Sequence, residues 1–212
     1  MTAEANPLPE ATPVRQSQKE ATRRRVIAAA RELFDAHGYE GTTIREIARH
    51  AGVAVGSVFT TFASKGEILS EVMAARLELL YAEVDRVMPH VRGSTVDRLR
   101  TMFAIHFEFE ARHVRLFLAH IAAAFDHTLS GAARPYGRNE HFQQVIRDIL
   151  QAGIRAGEVR PDIDMQEAVD LMMAAYAWTY RIVVTTEADA KALIAVMDRQ
   201  LGLIVAGLAP ER

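Results

Sequence analysis

The chain of 212 residues contains no cysteine. This absence excludes disulfide bonds, thiolate nucleophiles and cysteine-ligated zinc, and it leaves His, Asp and Glu as the side chains able to bind a metal. The sequence also lacks a run of eighteen or more uncharged apolar residues, which a membrane-spanning helix needs. Residues 1–25 contain no apolar stretch of the kind found in a secretory signal. We therefore expect a cytoplasmic protein with no membrane partner.

Several enzyme signatures are missing as well. There is no phosphate-binding Gly-rich loop, no Gly-x-Ser-x-Gly elbow and no His-Glu-x-x-His motif. Four histidines recur every seven residues, at His106, His113, His120 and His127. A step of seven residues spans about 10 Å of helix, and no adjacent carboxylate cluster completes a tetrahedral site, so we expect no metal and no other cofactor. An enzyme is kept only as the alternative from another functional class.

The charge is distributed unevenly along the chain, although the net charge is only −2. Residues 15–66 contain nine Lys or Arg against five Asp or Glu, a net charge of +4, so the remainder of the chain carries −6. A basic segment joined to an acidic one is typical of a protein that binds nucleic acid through one part only. Taken alone the pattern is weak, because charged runs are usually solvated helix faces.

The apolar periodicity predicts an all-α fold of nine helices, with Gly and Pro at the breaks. Residues 1–16 are rich in Pro, Ala, Thr and Glu and are expected to form a flexible leader. Residues 17–63 contain three short helices, and residues 64–212 contain the rest. Later helices are expected at about 64–88, 95–110, 113–129, 138–156, 165–185 and 188–208.

The three short helices have the spacing of a helix-turn-helix domain. Thr43 and Glu46 form a Thr-x-x-Glu capping box at the start of the second helix, and Ala51-Gly52-Val53 forms the turn. One face of the third helix can close a core with Val58 and Phe62. The opposite face is free to enter a major groove, with phosphate anchors beside it. The predicted DNA-binding residues are Thr42, Thr43, Arg45, Val55, Gly56, Ser57, Thr60, Thr61 and Lys65.

Residues 23–69 closely resemble the signature of the TetR family of bacterial one-component repressors. The matching positions are Leu33-Phe34, Gly38-Tyr39, Thr42-Thr43, Ile47-Ala48, Ala51-Gly52-Val53, Gly56, Phe59, Phe62 and Ser64-Lys65. The resemblance implies a double-stranded DNA operator and a small-molecule effector as partners. Three positions depart from the family pattern: Phe59 replaces a common Tyr, Thr61 replaces Tyr or His, and Ala54 replaces a Ser or Thr cap. Because of these departures, the alternative to a working repressor is a helical interaction protein with a vestigial DNA domain.

Two helices of about twenty residues near the C-terminus carry long apolar stripes. The resemblance implies that they pair with their symmetry mates in a four-helix bundle, which makes the protein a homodimer. The predicted interface residues are Met172, Tyr180, Ile194, Met197, Leu201 and Val205. The alternative is that both stripes belong to the core of a single chain.

The middle helices concentrate aromatic residues, interrupted by a few polar groups. Such a set is commonly core, but an apolar cavity with convergent polar groups is also what an effector site requires. The predicted effector-binding residues are Phe103, Phe107, Phe117, His120, Phe125 and Tyr176. Together with these patterns, the resemblance to the TetR family implies a dimeric repressor that binds a palindromic operator and is released by a small hydrophobic or aromatic effector.

Overall fold

The computed structural model describes residues 13–124, 140–186 and 188–210. These residues form helices and connecting turns and no strand, which confirms the all-α class. The helix count differs from the expected nine: the described ranges hold eight α-helices of eight residues or more and two of five residues. The chain divides between Val72 and Met73 into two compact units. No helix in the described ranges is both long and apolar enough to cross a membrane.

The first unit is built from α1 (Pro13–His37), α2 (Ile44–Ala51), α3 (Val55–Phe59) and the start of α4 (Lys65–Val87). Helix α1 therefore includes the last four residues of the predicted leader, residues 13–16. The core of this unit contains the predicted Val58 and Phe62. Val26, Ala30, Phe34, Ile47 and Ala48 also belong to it, and each of these seven side chains has at most 2% of its surface exposed. Leu33, Ile44 and Val53 lie at the margin of the core and are partly exposed.

Local chemistry determines where α2 begins and ends. The Thr43 hydroxyl accepts a hydrogen bond from the Glu46 backbone N–H at 3.2 Å, and the Glu46 carboxylate accepts from the Thr43 backbone N–H at 2.8 Å. This reciprocal pair is the predicted capping box. Gly52 ends α2 in the left-handed region, with φ of 62°. A side chain there would be strained, and its Cβ would lie 2.7 Å from the Arg25 guanidinium.

The second unit contains most of α4 and the helices that follow it. After a 3-10 turn at Met88–His90 come α5 (Thr95–Glu110), a second 3-10 turn (Ala111–His113), α6 (Val114–Ala124), α7 (Glu140–Arg155), α8 (Met165–Thr179), α9 (Arg181–Thr185) and α10 (Ala190–Leu208). Helix α5 is central, because it packs against both α7 and α10, and α8 also packs against these two helices.

The single helix expected at 165–185 is broken at Tyr180. The Thr179 hydroxyl lies 2.8 Å from the Ala175 carbonyl oxygen and 3.0 Å from Oε1 of Gln200, and its one proton can be donated to either. The Tyr180 backbone N–H bonds to the Ala177 carbonyl three residues back, so the helix tightens at this point. The hydrophobic period continues across the break, which is why periodicity alone does not detect it.

Candidate DNA interface and effector site

The exposed face of α3 is formed by residues four apart on the helix, Val55 with Phe59 and Gly56 with Thr60. Gly56, Phe59 and Thr60 are exposed, whereas Val58 on the opposite side is fully buried. Phe59 is 56% exposed. A large exposed aromatic ring flanked by small side chains forms a surface that can contact sugars and the thymine methyl group in a major groove.

Phe59 is the functional candidate that sequence reasoning missed at this site. The comparison with the family pattern describes Phe59 only as the loss of a tyrosine hydroxyl. The spacing of four from Val55 was the available signal, because it places both side chains on the face opposite Val58.

The threonine hydroxyls predicted to contact bases are engaged at the C-terminal end of α3. Thr60 donates to the Ser57 carbonyl at 3.0 Å, and Thr61 donates to the same carbonyl at 2.8 Å. Each hydroxyl oxygen keeps lone pairs that can accept from a base amino group. Ser57 and Thr61 are only partly exposed, so Thr60 is the more accessible of the two threonines.

The predicted phosphate anchors before α2 differ in what they can do. Thr42 is 1% exposed, and its hydroxyl donates to the Gly38 carbonyl at 2.8 Å, so its side chain joins α1 to α2 and cannot reach a phosphate. This corrects the prediction for Thr42. Thr43 is exposed but its hydroxyl belongs to the capping box, which also lowers the pKa of Glu46. Arg45 is exposed on α2.

Lys65 also has a role inside the first unit. Its ammonium donates to the Tyr39 carbonyl at 2.9 Å and to the Thr42 carbonyl at 3.2 Å, and it lies 4.1 Å from the centre of the Tyr39 ring. These contacts connect the start of α4 to the loop between α1 and α2. An ammonium has three N–H donors, so one remains for another acceptor.

In the second unit, the predicted effector residues come together in an aromatic cluster. Tyr176 of α8 lies at its centre, with ring centroids 5.6 Å from Phe103, 5.0 Å from Phe107 and 5.8 Å from Phe117. Phe117 is 6.1 Å from His120. Phe125 lies outside the described residues.

Three further rings belong to this cluster and were not predicted as part of it. Phe142 of α7 lies 5.3 Å from Tyr176, Tyr180 lies 4.7 Å from Phe117, and His106 stacks on Phe142 at 3.9 Å. The apolar face of α7 could have indicated Phe142 as core, but no sequence signal places α7 beside α5. We define the aromatic cluster as Phe103, His106, Phe107, Phe117, His120, Phe142, Tyr176 and Tyr180.

Two histidines of the aromatic cluster are buried and neutral. Burial lowers the pKa of His106 to about 3, with a smaller contribution from the charge of His141. Burial lowers the pKa of His120 to about 4. Within the described ranges, no three His, Asp or Glu side chains lie close enough together to hold a metal ion.

One turn beyond His106 on α5, Glu110 is fully buried and forms an ion pair with Arg76 of α4 at 3.2 Å. Burial raises the pKa of Glu110, and Arg76 opposes that shift. Arg76 also faces a surface groove of about 400 Å³ between α4 and α5. None of the predicted effector residues lines this groove.

The stripes predicted to form a dimer interface are largely core. Met172, Tyr180, Met197 and Leu201 are at most 1% exposed within a single chain, so the prediction for these four residues is wrong. Their periodicity reports the packing of α10 against α8 and α5. Ile194 and Val205 are partly exposed. The large apolar side chains exposed on these helices are Leu171, Trp178 and Leu203.

Two models of protein families match the chain, one in each of its two units. Residues 26–72 match the sequence model of bacterial regulatory proteins of the tetR family, and residues 103–210 match that of the SbtR-like transcriptional regulator C-terminal domain. The transcriptional repressor KstR2 of Mycolicibacterium smegmatis is 29% identical over 150 residues, covering 70% of this chain and 73% of the relative.

Two solved structures are similar over most of the chain. FadR of Thermus thermophilus, a TetR-family repressor in complex with lauroyl-CoA, has a TM-score of 0.72 at 25% identity and covers 90% of this chain and 96% of its own. FadR of Bacillus subtilis, in complex with stearoyl-CoA, has a TM-score of 0.64 at 22% identity, with coverage of 87% and 98%, a likeness of fold. The chain belongs to the TetR family of bacterial transcriptional regulators.

Proposed function

We propose that the protein is a dimeric repressor that binds a near-palindromic operator through α3 and is released by a small apolar effector. The single observation that carries the proposal is the exposed face of α3, where Phe59 and Thr60 project from a helix whose other face is buried. The relatives named above as repressors support repression rather than activation.

Operator binding is tested with the upstream region of the protein's own gene and random DNA of equal length. Thr60→Ala and Phe59→Ala should weaken binding to the operator more than to random DNA, because base contacts carry the specificity. Arg45→Ala should weaken both alike and reduce the salt slope by about one, because a phosphate contact releases a counterion. Equal affinity of the native protein for operator and random DNA would refute the repressor and leave the interaction protein.

The dimer surface that we propose is formed by the exposed side chains Leu171 and Trp178 of α8 and Leu203 of α10. Ala174 lies between the two on α8, and Gly202 and Ala206 flank Leu203, so these helices can approach a second copy closely. Exposed apolar side chains beside small residues are typical of a helix–helix interface.

The dimer surface is tested by sedimentation with three variants. Leu203→Glu should give monomers that remain folded. Leu79→Glu is the matched control, because it makes the same change at a leucine that is 67% exposed on α4, outside the proposed surface. It should leave the dimer intact. Met197→Glu should unfold the second unit, because it places a charge in the core. A dimeric Leu203→Glu variant would contradict the proposed surface.

The effector site that we propose is the aromatic cluster. An apolar body suits its rings, and the similar repressor FadR of Thermus thermophilus forms a complex with lauroyl-CoA. Helix α4 begins in the first unit and ends in the second, so it is the element through which the effector would act. A ligand that favours a state with poor operator fit releases DNA by its differential affinity, typically about 1–3 kcal/mol. Phe107→Ala should abolish release by the effector while operator binding persists.

A further inference from the structure

The buried face of α5 carries two polar atoms without a hydrogen-bond partner among the described residues. They are Nε2 of His106 and Oε1 of Glu110. Both side chains are almost completely buried, with 2% of His106 and none of Glu110 exposed. Buried polar atoms are normally paired, because leaving one unpaired removes its hydration without replacing it.

The spacing of these two residues allows one small group to reach both. Residues four apart on a helix lie on the same face, with Cβ atoms about 5–6 Å apart. A single oxygen atom that makes two hydrogen bonds of about 2.8 Å bridges groups at this separation. His106 is also stacked on Phe142 and meets Tyr176 edge-on at 5.8 Å, so such an oxygen would lie beside the aromatic cluster.

The protonation states of the two side chains select the chemistry of the group that they can hold. His106 is neutral, since burial lowers its pKa to about 3, so its Nε2 can carry a proton and donate it in a hydrogen bond. Glu110 already bonds to Arg76 through Oε2, so its other oxygen acts as an acceptor. A hydroxyl group accepts from the first and donates to the second. A carboxylate would place two negative charges together, and an apolar group would leave both atoms unpaired.

We propose that His106 and Glu110 together bind the hydroxyl group of an uncharged effector whose apolar body contacts the aromatic cluster. The proposal rests on the aromatic cluster being the effector site. It adds the polar end of that site and the class of ligand, an aromatic or alicyclic alcohol.

The test uses calorimetric titration of the full-length protein with four compounds that share one ring system: naphthalene, 2-naphthol, 2-naphthoate and 2-naphthylmethylamine. The native protein should bind 2-naphthol at least about tenfold more tightly than naphthalene, the gain expected when two buried groups become paired. It should bind the two charged compounds more weakly than 2-naphthol. Equal affinities for naphthalene and 2-naphthol, or tighter binding of either charged compound, would overturn the proposal and leave the aromatic cluster as an effector site.

A variant localises the effect. His106→Phe should bind naphthalene as the native protein does and lose the preference for 2-naphthol, and it should melt at a higher temperature without ligand because an unpaired polar atom is removed. Glu108→Gln, an exposed carboxylate on the same helix, is the matched control and should retain the preference. A preference that survives in His106→Phe would overturn the proposal. Failure of all four compounds to bind would overturn the effector site of the proposed function as well.

Discussion

The two units place their buried polar groups differently. In the described part of the first unit, the one fully buried polar side chain is Thr42, and its hydroxyl is bonded to backbone. The second unit buries His106, His120 and Glu110, all of which can carry charge. A surface that binds a polyanion needs its polar groups outside, whereas a site for a small ligand needs them inside. The first unit therefore keeps an apolar core beneath its exposed face, whereas the buried ionisable groups of the second unit lower its stability.

The same contrast appears in two ion pairs. Arg23 pairs with Glu71 in the first unit, with about a third of each side chain exposed. Arg76 pairs with Glu110 in the second, where the carboxylate is fully buried. Each arginine also lies over a phenylalanine ring, at 5.1 Å and 5.3 Å. The pairs thus differ mainly in burial, so a comparison of the two measures the effect of burial on an ion pair.

Acidification is expected to have the largest effect, and to act on the second unit first. His106 and His120 have folded-state pKa values of about 3 and 4, below the ordinary 6.5. Their contribution to stability is complete above pH 6.5 and is lost as the pH falls towards those values. By pH 4 each histidine costs about 3 kcal/mol, a large part of a typical folding free energy of about 5–15 kcal/mol. The raised pKa of Glu110 acts in the opposite sense and offsets part of this loss.

Amide NMR spectra between pH 7 and pH 4 measure this difference, with Ile47 and Val58 reporting the first unit and Leu99 and Val169 the second. On acidification, the dispersed signals of the second unit should be lost at a higher pH than those of the first unit. His106→Phe should move the transition of the second unit to lower pH. A single transition shared by both units would contradict the comparison.

Replacing Arg76 should lower the free energy of unfolding by several kcal/mol more than replacing Arg23. Arg76→Met leaves the Glu110 carboxylate buried without its cation and should lower the free energy of unfolding by about 3–5 kcal/mol at pH 7. Arg23→Met breaks a solvated pair and should cost less than about 1 kcal/mol. Urea unfolding of both variants provides the measurement. Equal losses would show that burial does not govern the strength of these pairs.

The first unit could be predicted from sequence almost to the residue, because its signals are local. The capping box at Thr43, the left-handed Gly52 and the uncapped Ala54 each depend on residues within four positions of one another. The role of Lys65 could not be predicted in this way. Lys65 bonds to carbonyls 23 and 26 residues away, and such distant partners leave no trace in a short pattern.

In the second unit, the sequence indicated the helices but not which faces meet. An apolar stripe has the same periodicity whether it packs within one chain or between two. Met172, Met197 and Leu201 were therefore predicted as interface, although they are core. The aromatic cluster was predicted in part, since Phe103, Phe107, Phe117 and Tyr176 do converge. Phe142 and Tyr180 required the packing of α7 and α8, which only the folded chain provides.

The two capping boxes should contribute equally to the free energy of unfolding of their own units, in contrast to the two ion pairs. Thr43 and Ser94 each form a capping box, with Glu46 and Asp97 as partners. Thr43→Ala and Ser94→Ala should each lower the free energy of unfolding of their own unit by about 1 kcal/mol. Urea unfolding followed by amide exchange distinguishes the units. A difference of more than about 1 kcal/mol between the two variants would mean that the contrast extends beyond buried groups.

The smallest expected effect is a gain at the start of α3. Ala54 occupies the N-cap position with extended backbone and has no side-chain hydrogen bond to the helix. Ala54→Ser supplies an acceptor for a free backbone N–H and should stabilise the five-residue helix by about 0.5–1 kcal/mol.

Because α3 carries Phe59 and Thr60, a better ordered helix should also raise operator affinity, by up to about fivefold if the whole gain is realised on binding. Ala36→Ser, an exposed substitution inside α1, is the control and should give no gain. Amide exchange of α3 and operator titration measure the two effects. Stabilised exchange without tighter operator binding would show that α3 is already fully ordered in the free protein.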